Sequence, residues 1–140
     1  MITAGVLAKQ ADVPLFTIRH YTRIGLLKPG RNLQNGYKIY QPSDETRLRF
    51  IVAAKALGFT LHEISEILDE AKHGNSPCPL VREIIVSHIE ENRRKIKEMQ
   101  RLQHKMENAV KDWSKMNNSM PDGDSVCHLI ESVGDIENKA

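Results

Sequence analysis

Two groups of residues in this sequence are equipped for chemistry. The first is the pair of cysteines: Cys78, set between Pro77 and Pro79, and Cys127, followed directly by His128. Each stands where a helix is expected to begin, and the positive end of the helix dipole favours an anion there, so each thiol should deprotonate more readily than a free one. Thiolates select soft or borderline ions such as Zn(II), Cd(II), Hg(II) or Cu(I). The spacing is not itself a metal motif, since no two cysteines lie two residues apart, and on composition alone two unrelated free thiols are the simpler account. The second group is the run Thr17-Ile18-Arg19-His20-Tyr21-Thr22-Arg23. Thr17, Arg19, Tyr21 and Arg23 carry groups suited to phosphates and base edges. Enzymatic constellations are missing: there is no Ser/His/Asp arrangement, no phosphate-cradling glycine loop and no two-histidine helix motif. The chain therefore reads as a non-enzyme.

Charge favours a polyanion as partner. The net charge of the 140 residues is +2. Residues 1–60 hold nine Lys and Arg against three acids, which makes that part +6 and leaves −4 for the rest. A basic half is where a nucleic acid would bind. No apolar run approaches the roughly 20 residues that cross a bilayer. The first residues lack the basic-then-apolar pattern of a secretion signal, so a cytoplasmic protein with reduced thiols is expected.

The elements that must position these residues can be read from breakers and periodicity. Thr3 is a plausible cap for a helix over 3–11, and Asp12-Val13-Pro14 breaks it. A second helix runs to about Ile24 and ends at Gly25. Ile18, grouped with Leu15, Phe16 and Ile24, is assigned to the core. Two short helices joined by a tight turn are a helix-turn-helix. Asn35-Gly36 then signals a hairpin, with Tyr37–Tyr40 alternating like a strand, and so a basic wing. Ser43 is the expected cap of a third helix, and Thr60 with Glu63 forms a capping box for a fourth. Residues 74–78 read as a linker. A long helix follows over 79–115, in which Ile85, Ile89, Asn92, Ile96, Met99, Gln103, Met106, Val110 and Trp113 recur at the 3.5-residue period of a coiled coil. One such helix cannot bury that seam alone, and a second copy of the chain is the simplest partner. His88 and His104 read as surface positions on it. A loop, a short helix and a polar tail fill 116–140.

The order of these motifs resembles the MerR family of bacterial transcriptional regulators, in its metal-sensing branch. The resemblance rests on Val6-Leu7-Ala8, on Thr17-Ile18-Arg19-His20-Tyr21 followed by Gly25-Leu26-Leu27, and on Asn35-Gly36-Tyr37-Lys38-Ile39-Tyr40. Arg47-Leu48-Arg49-Phe50-Ile51, Leu57-Gly58-Phe59-Thr60-Leu61 and Ile64 complete it. The family usually has glycine where this chain has Asp12, and commonly Arg where it has Lys38. The resemblance implies a mainly α fold, with a winged helix-turn-helix DNA-binding domain over 1–73 and a long antiparallel coiled-coil dimerisation helix over 79–115. The effector loop would lie within 116–140. It implies a homodimer on double-stranded promoter DNA that works with RNA polymerase by distorting the promoter. Thr17, Arg19, Tyr21 and Arg23 would be recognition-helix contacts, and Tyr37 and Lys38 wing contacts. It also changes the standing of the cysteines. Cys78 of one chain would meet Cys127 in the loop of the other, with His128, Asp122 or Asp124 as further ligands if the ion demands them. A cysteine at the start of the dimerisation helix points to a divalent effector such as Hg, Cd, Zn or Pb ahead of Cu(I). The alternative is a regulator that senses oxidants or electrophiles through the same thiols.

Overall fold

The computed structural model describes residues 2–139, with side chains through residue 134. The described chain is mainly helical. Its elements are α1 (Ala4–Ala11), α2 (Leu15–Arg23), β1 (Gly30–Arg31), β2 (Lys38–Ile39), α3 (Pro42–Ala56), α4 (Leu61–Lys72), α5 (Cys78–Trp113) and α6 (His128–Lys139). They fall into two compact units, Met1–His88 and Ile89–Ala140.

In the first unit one device ends all four short helices. Asp12 stops α1 in the left-handed conformation, at φ 54° and ψ 48°. The Val13 amide donates to the Ala8 carbonyl at 3.1 Å and the Asp12 amide to Lys9 at 3.3 Å. These paired bonds satisfy carbonyls that a helix end leaves open. Gly25, Gly58 and Gly74 do the same after α2, α3 and α4, with φ of 87°, 93° and 81°. Leu26, Phe59 and Asn75 donate back to Tyr21, Ala54 and Glu70 at 2.9, 3.1 and 3.1 Å. Asp12 thus occupies a position where glycine would be unstrained.

Two of the expected caps, Thr3 and Thr60, are in place, while Ser43 and the Asp124 or Ser125 expected to cap the last helix, which starts at His128, are not. The Thr3 hydroxyl accepts from the Val6 amide at 3.3 Å. Thr60 and Glu63 complete a reciprocal box at the start of α4, with bonds of 3.1 and 2.9 Å. Ser43, however, does not cap α3: the N-cap is Gln41, and Pro42 is the first helical residue. Proline suits that place because its missing N–H would have no helical partner. Asp44 takes over the polar role. It is almost fully buried, and its carboxylate accepts from the Lys28 amide and the Gln41 amide, both at 3.0 Å. One side chain thereby ties together the two ends of the hairpin segment.

Leu7, Ile18, Leu27, Leu48, Ile51 and Ile64 form the centre of the core and have essentially no exposed surface. Leu80, Val81, Ile84 and Ile85 from the first turns of α5 pack against it. His88, expected on the surface, is partly buried: its Nε2 lies 2.8 and 3.0 Å from the two carboxylate oxygens of Glu63. Its ring also meets Phe59 edge-on, with centroids 6.1 Å apart. These contacts accompany the extension of the first unit into α5 as far as His88.

In the second unit α5 continues to Trp113. Over its 36 residues the helix measures about 54 Å. The Trp113 indole donates to the Leu129 carbonyl at 2.8 Å, which fastens α6 to the end of α5. Met106, Val110, Trp113, Ile130 and Val133 line an apolar groove between them. Ile89, Ile96, Met99, Met106 and Val110, all in the expected seam, remain exposed in the single chain. The final helix runs to Lys139, longer than the short helix expected there; Ala140, the end of the expected tail, lies outside the described residues.

Candidate functional site

Four basic residues of the first unit line one groove. Its lining includes Arg19 and Arg23 from α2, and Arg31, Tyr37 and Lys38 from the hairpin, with Thr3 and the start of α1. The groove encloses about 650 Å³, and no carboxylate lines it. Four cations without a counter-anion attract a phosphate backbone.

Local hydrogen bonds hold the groove in shape. The Thr22 hydroxyl donates to the Ile18 carbonyl at 2.8 Å. That leaves it as acceptor for the Tyr40 hydroxyl, 2.7 Å away, so α2 is tied to the residue after β2. Tyr40 is itself anchored by its amide, which donates to the Ile2 carbonyl at 2.7 Å. The strands pair Gly30 with Ile39 and Arg31 with Lys38. A six-residue connection over 32–37 joins them, rather than a two-residue Asn-Gly turn. Within it the Asn32 side chain accepts from the Gln34 amide and the Asn35 side chain from the Tyr37 amide, at 2.8 and 3.0 Å. Gly36 takes φ 72°, so the turn chemistry of Asn35-Gly36 is present in a longer loop.

The structure distributes the anticipated contact residues unevenly. Arg19, Arg23, Tyr37 and Lys38 are exposed and line the groove. Thr17 is half-buried and does not line it. Tyr21 departs from the expectation: it is 8% exposed and belongs to the core, and burial raises the pKa of its phenol. The helical turn that aims Arg19 outward points Tyr21 inward beside Ile18, so little of it is left for DNA. His20 has a role that sequence reasoning missed. Its Nδ1 accepts a 3.0 Å bond from the Arg23 guanidinium, since arginine can only donate. The i, i+3 spacing was the available signal.

Phe16 is a second correction. Ile18 is fully buried, but Leu15, Phe16 and Ile24 are 37, 72 and 47% exposed. A nine-residue helix presents only one stripe to the core. At about 100° per residue Phe16 lies roughly 160° from Ile18, within about 20° of Arg23 and about 60° of Arg19.

The thiols stand in different units. Cys78 is the exposed first residue of α5, its amide 3.4 Å from the Ser76 hydroxyl. Cys127 is half-buried just before α6, and its carbonyl accepts from the Glu131 amide at 3.1 Å. The Glu131 carboxylate occupies the start of that helix. It accepts from the Ser125 hydroxyl at 2.5 Å and the Val126 amide at 2.9 Å. Those bonds, the hydroxyl's first, hold its pKa below the ordinary value. Asp122 is spent on the loop, accepting from the Asp124 and Ser125 amides at 2.7 and 2.9 Å. His128 Nε2 lies 3.4 Å from the Asn117 carbonyl. Among the described residues no three His, Cys, Asp or Glu side chains gather to hold a metal. Two thiols and an imidazole are donors that suit a soft ion.

Comparison with known proteins bears on both features. The family model described as MerR HTH family regulatory protein matches residues 2–71, and that described as MerR, DNA binding matches 45–109. The chain is similar to the transcriptional regulator HmrR of Rhizobium leguminosarum bv. viciae, at 31% identity over 131 residues, 94% of this chain and 96% of the relative. It is 33% identical over 99 residues to a mercuric resistance operon regulatory protein of Bacillus cereus, covering 71% and 75% of the two. Among solved structures it resembles the lead(II) complex of the regulator PbrR691 from Ralstonia metallidurans CH34, with a TM-score of 0.74 at 26% identity over 95% of this chain and 99% of that one.

Proposed function

The chain belongs to the MerR family of helix-turn-helix transcriptional regulators, and from that premise we propose that it is a metal-responsive homodimer that binds and distorts promoter DNA. The observation that carries the DNA reading is the carboxylate-free groove formed by Arg19, Arg23, Arg31 and Lys38. In this reading α2 enters the major groove and the wing grips the adjacent backbone, with Thr17, Arg19 and Arg23 as recognition contacts and Tyr37 and Lys38 as wing contacts. Bending or untwisting the duplex costs on the order of a few kcal/mol, and the effector must bias the dimer by a comparable amount for RNA polymerase to engage. The protein acts in the cytoplasm, where promoters and reduced thiols are found together.

In this arrangement residues 1–73 form the DNA-binding domain and 74–77 a linker; the dimerisation helix, expected over 79–115, is α5, Cys78–Trp113, and the residues after it are the effector segment. The exposed seam on α5 supplies the dimer contact: Ile89, Ile96, Met99, Met106 and Val110 are bare in one chain and would be covered by an antiparallel second copy. The effector is a heavy-metal ion, a divalent one such as Hg, Cd, Zn or Pb ahead of Cu(I). Cys78 of one protomer and Cys127 of its partner hold it, with His128 as a third donor. A soft ion held by these residues would supply a link between the two protomers. The protein's own part is to present Cys78 at the start of α5, next to the turns that pack on the DNA-binding core.

Competition titration of the reduced dimer with Hg, Cd, Zn, Pb and Cu(I) tests this, read by ultraviolet thiolate-to-metal absorption and by anisotropy of a labelled promoter duplex. Strong absorption, lost in both Cys78→Ser and Cys127→Ser while the apo protein still binds DNA, is the expected result. Weak affinity and no such absorption would defeat the metal reading and favour oxidant or electrophile sensing.

A further inference from the structure

We infer that Phe16 is a specificity-determining residue that reads the C5-methyl group of a thymine in each half of the operator. The inference rests on the DNA-binding reading above. Phe16 is the second residue of α2, is 72% exposed and is not among the apolar residues packed against the core. Exposing a phenyl ring brings no stability, and folding does not explain this one. Its direction does point to an occupant. It shares the outward face of α2 with Arg19 and Arg23, on a helix whose exposed side joins a groove lined by four cations and no acid.

A partner that meets this face is therefore an anion at its edges and offers an apolar group at its centre. Duplex DNA has that pattern in the major groove. Phosphates lie along the rims, and the thymine C5-methyl is the only apolar group the bases display there. Phe16 has no hydrogen-bonding atom, so it cannot grip a phosphate or read the donors and acceptors of the other bases. Its place in the first turn fits as well, because the N-terminal residues of a recognition helix reach base edges first. The arginines beside it supply polar readout and backbone attraction, and Phe16 adds a preference that charge cannot give.

The test uses the full-length dimer and a pool of duplexes with a randomised central segment. Wild type and Phe16→Ala each select their tightest binders, and the best wild-type duplex is remade with single thymines replaced by uracil. Uracil keeps every hydrogen-bonding group and lacks only the methyl. Wild type is expected to select thymine at one symmetry-related pair of positions, where uracil weakens binding about fourfold, the equivalent of one buried methyl-sized group. Phe16→Ala should lose that preference and bind the thymine and uracil duplexes equally. Phe16→Leu should keep part of it. Circular dichroism and sedimentation should match wild type for both variants, as Phe16 is outside the core. If wild type ignores every thymine-to-uracil change, or if Phe16→Ala shows the same penalty at the same positions, the inference is wrong. If neither protein enriches any sequence, the DNA reading falls and the inference with it.

Discussion

At the scale of single residues, side chains of one type differ in the work left for them. Arg19 is exposed and lines the groove, whereas the Arg23 guanidinium is steadied by His20 Nδ1 at 3.0 Å. Arg19→Ala should weaken promoter binding by roughly tenfold and reduce the salt dependence by about one counterion, with no change in helicity. A salt series of anisotropy titrations reads both, and an unchanged slope would remove Arg19 from the contacts. Glu63 makes the second residue-level prediction. Its carboxylate is held below its ordinary pKa, first by the Thr60 amide and then by His88. A carboxylate with a lowered folded pKa contributes stability that is complete above its unfolded pKa, which lies near 4.5. That contribution fades as pH falls through the lower folded value. Thermal melts from pH 6 to pH 3 should therefore show a shallower acid-side loss in Glu63→Gln than in wild type, from a lower starting Tm. Parallel curves would mean the pair adds nothing to acid stability.

At the scale of elements, short helices and their stops carry the geometry. Asp12 holds a left-handed conformation that costs an L-residue about 1–2 kcal/mol. Asp12→Gly relieves that cost, and Asp12→Val increases it through the branched Cβ. Chemical denaturation should place the glycine variant level with or up to about 1 kcal/mol above wild type, and the valine variant below it. Equal loss in both would show that the Asp12 side chain, and not its backbone angle, matters. Asp44 is the corresponding element-level clamp, since its carboxylate meets the amides of Lys28 and Gln41. Asp44→Ala leaves both donors without that partner and should cost about 2 kcal/mol or more. The same variant should weaken DNA binding in proportion to the loss of wing order, visible as faster amide exchange over 30–39.

At the scale of the whole molecule, function depends on surfaces that one chain leaves incomplete. Ile96 and Met99 are exposed on α5, so a charge there does not disturb the fold of the chain itself. Ile96→Asp with Met99→Asp should give a folded monomer by sedimentation that has lost specific promoter binding, because two half-sites must be gripped together. A double variant that stays dimeric would move the interface elsewhere. On the proposed metal reading, Cys78→Ser and Cys127→Ser should each abolish metal-dependent transcription while leaving apo-protein DNA affinity intact. A promoter reporter that still responds normally in either variant would acquit that cysteine.

Local signals were enough to place the helices, because each is set by neighbours in sequence. Capping by Thr3, Thr60 and Glu63, the breaks at Asp12, Gly25 and Gly58, and the heptad period of α5 could all be read before any packing was known. The motif order over residues 3–68, added to these, identified the family. What only the tertiary structure decided was which face of a short helix is covered. In nine residues of α2 apolar side chains occur on both sides, and packing alone turned Tyr21 inward and Phe16 outward. The same holds for contacts across long stretches of chain. Asp44 bridging Lys28 and Gln41, Thr22 meeting Tyr40, and His88 meeting Glu63 across 25 positions leave no periodic trace, since a hydrogen bond between distant residues depends on where the folded backbone brings them.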